Sequence, residues 1–313
     1  MRSAADRLNG VINVYKEQGV TSSHVVAQVR SILKVRKAGH IGTLDPIAEG
    51  VLPVCLGFAT KFAELLTAKN KQYIARFRLG VAFDTFDTTG AVLCTSDVRP
   101  DEAEIHSVLE NLTGEPELTV PAFSAKKING NRAYDLARKG KITNAGTASM
   151  KICKIELIAY DYPEGVFVID CGKGTYVRSV IHELGKKLGS YAAMSGLIRS
   201  CNGAFHMKSA NKLSDIKRLA DEGREMELII PIQDNLNLPK AVVKQAAVKA
   251  VINGISPAAA DYVSLPDTDS CEQCLLFTKE GHLLALGNTR NNPSVPIKLL
   301  KVIGSECYNH NLR

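Results

Sequence analysis

The chain has 313 residues, 45% hydrophobic and 23% charged, a balance that excludes a disordered or fibrous protein and allows one large core or two smaller ones. Lys and Arg outnumber Asp and Glu by 39 to 32, a net charge of +7 that suits a polyanionic partner without demanding one. Eight cysteines spread over this length, an N-terminus without an apolar core and no apolar run near the ~20 residues of a membrane span point to a cytoplasmic protein with free thiols.

Taken in chain order, residues 11 to 15 (VINVY) predict a short strand. Thr21, Ser22 and Ser23 offer N-caps for a helix whose apolar face is Val25, Val26, Val29, Ile32 and Leu33. Residues 38 to 50 (AGHIGTLDPIAEG), with three glycines and a proline, predict a shaped loop ending in a helix-like stretch. From Tyr73 the period becomes two, with Tyr73, Ala75, Phe77 and Leu79 on one face and Arg76 and Arg78 on the other, so a half-buried strand is expected. Ile105, Val108, Leu109 and Leu112 mark a helix capped by Asp101 and ended near Gly114.

Residues 122 to 141 are strongly basic, with Lys126, Lys127, Arg132, Arg138, Lys139 and Lys141 against Asp135, and with Phe123 and Tyr134 interleaved. That mixture fits phosphates and stacked bases, or equally a solvated helix face beside a basic loop. Alternation at Cys153, Ile155, Leu157 and Ala159 predicts another strand, and Val166–Ile169 one covered on both faces. Helical spacing of Ile181, Leu184 and Leu188 after Gly172 and Gly174 puts Thr175, Tyr176 and Arg178 at a strand-to-helix junction. A domain boundary is expected around Pro231 to Pro239, followed by a helix through Val242, Val243 and Val251 that closes at Gly254, then short apolar strands.

Few familiar catalytic patterns are present. Cys271 and Cys274 form one CxxC pair, but tetrahedral zinc needs four ligands and no second pair follows. Neither a phosphate-binding loop, a GxGxxG turn, GxSxG nor HExxH occurs. What stands out is Asp45, set in a glycine-rich loop between His40 and Pro46, where a carboxylate can be aimed at a substrate or can simply close an Asx-turn. His40 reads equally as a loop histidine, Tyr73 as strand core and Arg178 as a surface ion-pair residue.

Five motifs in order resemble the TruB family of bacterial tRNA pseudouridine synthases. They are GVINVYKEQGVTSSHVV (10 to 26), AGHIGTLDPIAEGVLPVCLGFATKF (38 to 62), KQYIARFRLGVAFDTFDTTG (71 to 90), CGKGTYVRSVIHELGKKLG (171 to 189) and LIRSCNGAF (197 to 205). The sequence departs from the family pattern at Glu17, Phe83, Ala122, Met150 and Ile198.

The resemblance implies an α+β fold, a mixed, antiparallel-rich sheet in a catalytic domain (residues 1–236), and a small C-terminal β-barrel of the RNA-binding PUA type (237–313). It implies Asp45 as the catalytic aspartate, Tyr73 as the aromatic partner of the target base and Arg178 as the ion-pair partner of Asp45. His40 helps to extract the base, Tyr176 and Leu197 line the pocket, and residues 121–150, with Lys126, Lys127 and Arg132, form an RNA-gripping insertion. The implied activity is isomerisation of uridine 55 in the T-loop of tRNA, without metal or cofactor, by a monomer that recognises the T-arm stem-loop and needs neither membrane nor protein partner. Two rivals are a guide-dependent enzyme of the same superfamily acting on rRNA, and a non-catalytic RNA-binding or tRNA-folding protein.

Overall fold

The computed structural model describes residues 8–67, 70–124, 126–128, 130–138, 140, 142 and 144–303, apart from the side chains of Lys127, Ile128, Arg132, Tyr134, Asp135 and Arg138. Its centre is an eight-stranded sheet. The strands that matter for the site are β1 (Gly10–Lys16), β2 (Ala38–His40), β3 (Ala48–Leu56), β4 (Lys71–Leu79), β5 (Ile152–Asp161), β6 (Glu164–Cys171) and β7 (Ala192–Asn202). They run in the order β1-β3-β7-β4-β6-β5, with β2 paired to β3 and the short strand Phe205–His206 to β7. Only β3 and β7 are parallel; every other pairing in this sheet is antiparallel.

Alternation along β4 is as the sequence predicts, with Tyr73, Ala75, Phe77 and Leu79 buried and Arg76 and Arg78 exposed. The helices over the buried face include α1 (Ser22–Leu33), α2 (Glu102–Asn111) and α3 (Val177–Lys187). Thr21 caps α1 through its hydroxyl, which accepts from the His24 backbone N–H at 3.1 Å, and α2 opens with a capping box between Asp101 and Glu104. Val25, Val29 and Leu33 of α1 are buried against Ile12, Val14, Leu52 and Val54.

Several sequence expectations need correcting. Residues 48–56 form a strand, not a helix-like stretch: nearly every position of β3 is buried, so its apolar run has no period from which strand and helix can be told apart. Ala38–His40, read as loop, is already paired to β3. Bulges in β5 break its expected alternation and leave Cys153 and Ala159 exposed. In β6 one face is buried and the other only half-buried, so Val166–Ile169 is not covered on both sides.

Beyond residue 239 lies a second sheet of five strands: β8 (Lys240–Val243), β9 (Tyr262–Ser264), β10 (Gln273–Phe277), β11 (Leu283–Thr289) and β12 (Ile297–Val302), in the order β9-β8-β10-β11-β12. Val242 and Val243 therefore belong to a strand, and the helix, α4 (Gln245–Ile252), starts only after them. Among the described residues no pairing joins β9 to β12, so the expected closed barrel is seen as an open sheet. The far side of β1 and β3, bearing Val11, Val51 and Cys55, shares a buried cluster with Leu275, Phe277, Leu283 and Leu286 of this second sheet.

Candidate active site

Residues 41–47 bridge β2 and β3, and their shape is fixed by side chains drawn from three other elements, β1, α1 and β7. Ile41 N–H still donates to Pro53 O at 2.8 Å, after which the backbone leaves the sheet through Gly42, whose φ of +84° favours glycine. Asn202 Nδ2 donates to Ile41 O at 2.8 Å. Arg199, fully buried, donates from Nη2 to Gly42 O at 3.1 Å, from Nη1 to Thr43 O at 3.5 Å and from Nε to Val51 O at 2.7 Å.

Ser22, the first residue of α1, accepts from Leu44 N–H at 2.8 Å and donates to Leu44 O at 2.9 Å. Asp45 O accepts from Ala48 N–H, and Pro46 O from Gly19 N–H. Lys16, also fully buried, donates from Nζ to the carbonyls of Glu17, Pro46 and Ala48. Desolvation lowers the Lys16 ammonium to about 8, against the opposing attraction of Asp45. A loop held at so many carbonyls presents the Asp45 side chain in one direction.

That side chain is 38% exposed, and its Oδ2 lies 2.9 Å from Arg178 Nη2. Arg178 stands in the first turn of α3, directly after Tyr176, which occupies the N-cap position. Its guanidinium is buried and donates from Nη1 to Thr85 O and from Nη2 to Phe123 O, each at 3.0 Å. Asp87 Oδ2 lies 3.8 Å from Nη1, and Asp87 Oδ1 accepts from Thr85 Oγ1 and from the Thr89 N–H and hydroxyl. Between Thr85 and Asp87, Phe86 takes a φ of +63° and stacks on His182, one helical turn beyond Arg178, with ring centroids 3.8 Å apart. The unfavourable backbone at Phe86 turns both the Thr85 carbonyl and the Asp87 carboxylate toward Arg178.

Tyr73 sits opposite Arg199 across β4 and β7, and Leu197 sits opposite Ala75 two pairs along. Both Tyr73 and Leu197 are buried, at 7% and 9% exposure, and Leu197 also sits opposite Ala48, three residues beyond Asp45. Desolvation raises the Tyr73 phenol above its ordinary value, and the Arg199 guanidinium opposes that rise. His40 is half-buried, its Nδ1 has no hydrogen-bond partner, and burial first and Arg199 second hold its imidazole below the usual value. Such a histidine stays neutral at pH 7 and enters an apolar stack without a charge to desolvate. Tyr176 is half-buried, and its backbone N–H donates to Met150 Sδ, so the methionine that departs from the family pattern packs against the start of α3.

The structure thus pairs Asp45 with Arg178, sets Tyr73 and Leu197 on neighbouring strands beside the Asp45 loop, and leaves Tyr176 at the N-cap before Arg178 and His40 at the end of β2. Lys126 is turned inward along its own insertion, donating from Nζ to Ala145 O at 2.9 Å and Thr147 O at 3.2 Å. The backbones of Lys127 and Arg132 pair in a two-residue hairpin, while their side chains lie outside the described residues. Sequence reasoning missed Lys16, Ser22, Asp87, Arg199 and Asn202. The only signal available for them was that each falls within or beside one of the five motifs, since their partners are distant in sequence. Among the described residues no three metal-ligating side chains converge, and Cys271 and Cys274 are both free thiols.

A carboxylate aimed by a buried guanidinium can engage an electrophilic carbon, and a tyrosine ring can hold a planar base by stacking. Comparison with known proteins finds a match of residues 30–177 to the model of the TruB family pseudouridylate synthase N-terminal domain. The tRNA pseudouridine synthase B of Clostridium novyi (strain NT) is 36% identical over 94% of this chain and 99% of its own length. That of Geobacillus kaustophilus (strain HTA426) is 41% identical over 79% of this chain and 90% of its own. Among solved structures, a Cbf5-Nop10-Gar1 complex contains a chain with TM-score 0.72 and 28% identity, matched over 97% of this chain and 88% of that one. The archaeal box H/ACA sRNP Nop10-Cbf5 complex contains another, with TM-score 0.70 and 27% identity over 97% and 89%.

Proposed function

The chain belongs to the TruB family of tRNA pseudouridine synthases, and we propose that the uridine it isomerises is position 55 in the T-loop, with Asp45 as the catalytic carboxylate. It is an isomerase that makes pseudouridine in tRNA. The observation that carries the finer reading is the 2.9 Å contact between Arg178 and the partly exposed Asp45 carboxylate.

The reaction breaks the bond between N1 and the ribose C1′, turns the uracil in place and joins C5 to the same carbon. The hydrogen on C5 leaves as a proton and N1 gains one, so no oxidant, reductant or net water is consumed. A carboxylate able to reach the sugar or the base is an adequate nucleophile, and no cofactor or metal is required. Uracil departs as an anion, so fixed donors in a water-poor pocket serve the first step better than a strong acid does.

Tyr73 holds the ring for rotation, and Leu197 and Tyr176 limit where it can turn. Swinging the nucleotide out of the loop loses a few kcal/mol of stacking, and the neutral His40 fills the vacated space. The basic insertion 121–150 grips phosphates around the stem-loop, through Lys127 and Arg132 as well as the segment that Lys126 braces. Residues 237–313 act as a PUA-like RNA-binding module appended to a catalytic unit of residues 1–236. The enzyme works as a cytoplasmic monomer on the T-arm stem-loop alone.

The likeness to chains from ribonucleoprotein complexes favours a second reading, in which a guide RNA selects an rRNA target. Incubating the purified protein with an unmodified T-arm stem-loop and no guide separates the two. Pseudouridine at position 55, and at no other uridine, is the expected product. Product only after a guide is added, or at another uridine, overturns the proposal.

A further inference from the structure

His182 lies one turn beyond Arg178 on the same face of α3, and no step of the proposed reaction uses it. Its ring lies flat against Phe86, with centroids 3.8 Å apart and planes inclined by only 7°. Phe86 is buried, and its φ of +63° is a conformation that a bulky side chain avoids.

The two peptides that meet at Phe86 are held differently. Phe86 O accepts from Met194 N–H of β7 at 3.0 Å, and Met194 O accepts from Thr88 N–H at 3.0 Å, so the peptide after Phe86 is tied to the sheet. The peptide before it carries Phe86 N–H, which donates to Phe83 O at 3.2 Å, and on its opposite edge Thr85 O, which accepts from Arg178 Nη1 at 3.0 Å. Rotation about the N–Cα bond of Phe86 turns this second plane against the fixed one. Relaxation of φ to the usual negative range therefore swings Thr85 O off the guanidinium and removes the closer of the two oxygens that Nη1 faces.

We infer that His182 is a positioning residue: stacked on Phe86, it holds the left-handed turn that keeps Thr85 O on Arg178, and so sets the aim of Arg178 at Asp45. The inference rests on the reading of Asp45 as the catalytic carboxylate. A flat ring suits the task because it meets the whole face of Phe86, where a branched aliphatic chain of similar size touches part of it. Burial lowers the imidazole from its usual value, with Glu183 opposing and Lys186 adding to the effect. The ring is thus neutral at pH 7, and the stack brings no second cation beside Arg178.

The test measures single-turnover formation of pseudouridine on a T-arm stem-loop at saturating protein and, separately, the dissociation constant. His182→Phe keeps the flat ring without its nitrogens and should stay within about twofold of wild type. His182→Leu fills the space without the flat face and should slow the reaction about tenfold, the scale of one aromatic pair, with affinity within about threefold. Phe86→Leu removes the same stack from its other side and should lose as much, and the two leucine changes together should lose no more than about tenfold, because they remove one interaction. A His182→Leu rate equal to wild type, a His182→Phe rate as slow as that of His182→Leu, a loss confined to affinity, or a double variant slowed about a hundredfold overturns the inference.

Should His182→Leu fail to fold, Phe86→Leu with His182 intact decides the matter, and a rate within about twofold of wild type overturns it. Wild type that forms no pseudouridine defeats the proposed function. An active wild type with equally active leucine variants defeats this inference alone.

Discussion

Lys16 illustrates how the site depends on residues that never touch a substrate. Its ammonium is buried beneath the catalytic loop with its N–H groups on three carbonyls, two of them flanking the Asp45 turn. Lys16→Met leaves those carbonyls without donors, so a loss of about 2–4 kcal/mol in urea unfolding is expected, together with slower turnover. The pH dependence has a definite sign. Because the folded-state value of about 8 lies below the ordinary 10.5, the burial penalty is fully present below pH 8 and is relieved between about 8 and 10.5. Stability from this group therefore rises through that window while the loop loses one N–H donor. Turnover that falls above pH 8 without a parallel fall in the unfolding midpoint, and no such fall in Lys16→Met, is the pattern to be found.

At the scale of elements, helix α1 does more than cover the sheet, because its first residue staples the catalytic loop through both polar groups of Leu44. Ser22→Ala removes that staple from a buried site and is expected to cost about 1–3 kcal/mol, with a larger effect on the maximal rate than on tRNA affinity. An unchanged maximal rate means the loop is held without it. Thr21, exposed at the N-cap next door, serves as the control, since Thr21→Ala should cost about 1 kcal/mol and leave the loop in place.

Elements with a clean period were legible in the sequence: the alternation of β4 and the capped helix from Glu102 to Asn111 follow from local pattern alone. Strands β3 and β8 were not: burial of nearly every position erases the period in β3, and β8, four residues long, is too short to show one. The positions of Asp45, Tyr73 and Arg178 were indicated by motif resemblance, but the braces around them were not. Ser22 reads as one of three N-cap candidates until the fold puts it against Leu44, and Arg199 is brought to Gly42 only by the parallel pairing of β7 with β3.

For the whole molecule, the two sheets are joined by a common apolar cluster and not merely by the chain between Pro231 and Pro239. Val11, Val51, Cys55, Phe62 and Phe205 from the first part are buried with Ile232, Leu236, Leu275, Phe277 and Ile303. A chain cut after residue 236 uncovers the far side of β1 and β3, the strands whose other face supports the catalytic loop. Such a fragment is expected to unfold at lower temperature, bind a hydrophobic dye and lose activity out of proportion to any lost RNA affinity. A fragment with an unchanged unfolding midpoint contradicts this coupling.

The central claim is that the Asp45 carboxylate, aimed by Arg178, does the chemistry while the remainder of the cleft holds the nucleotide. The most direct measurement compares wild type with Asp45→Asn on the same T-arm stem-loop, reading pseudouridine formed in a single turnover and, separately, the dissociation constant. The substitution removes the carboxylate and leaves a side chain of nearly the same shape. The account predicts no detectable pseudouridine from Asp45→Asn and an affinity within about threefold of wild type. Substantial turnover by Asp45→Asn, or a collapse of binding that matches the loss of product, contradicts it.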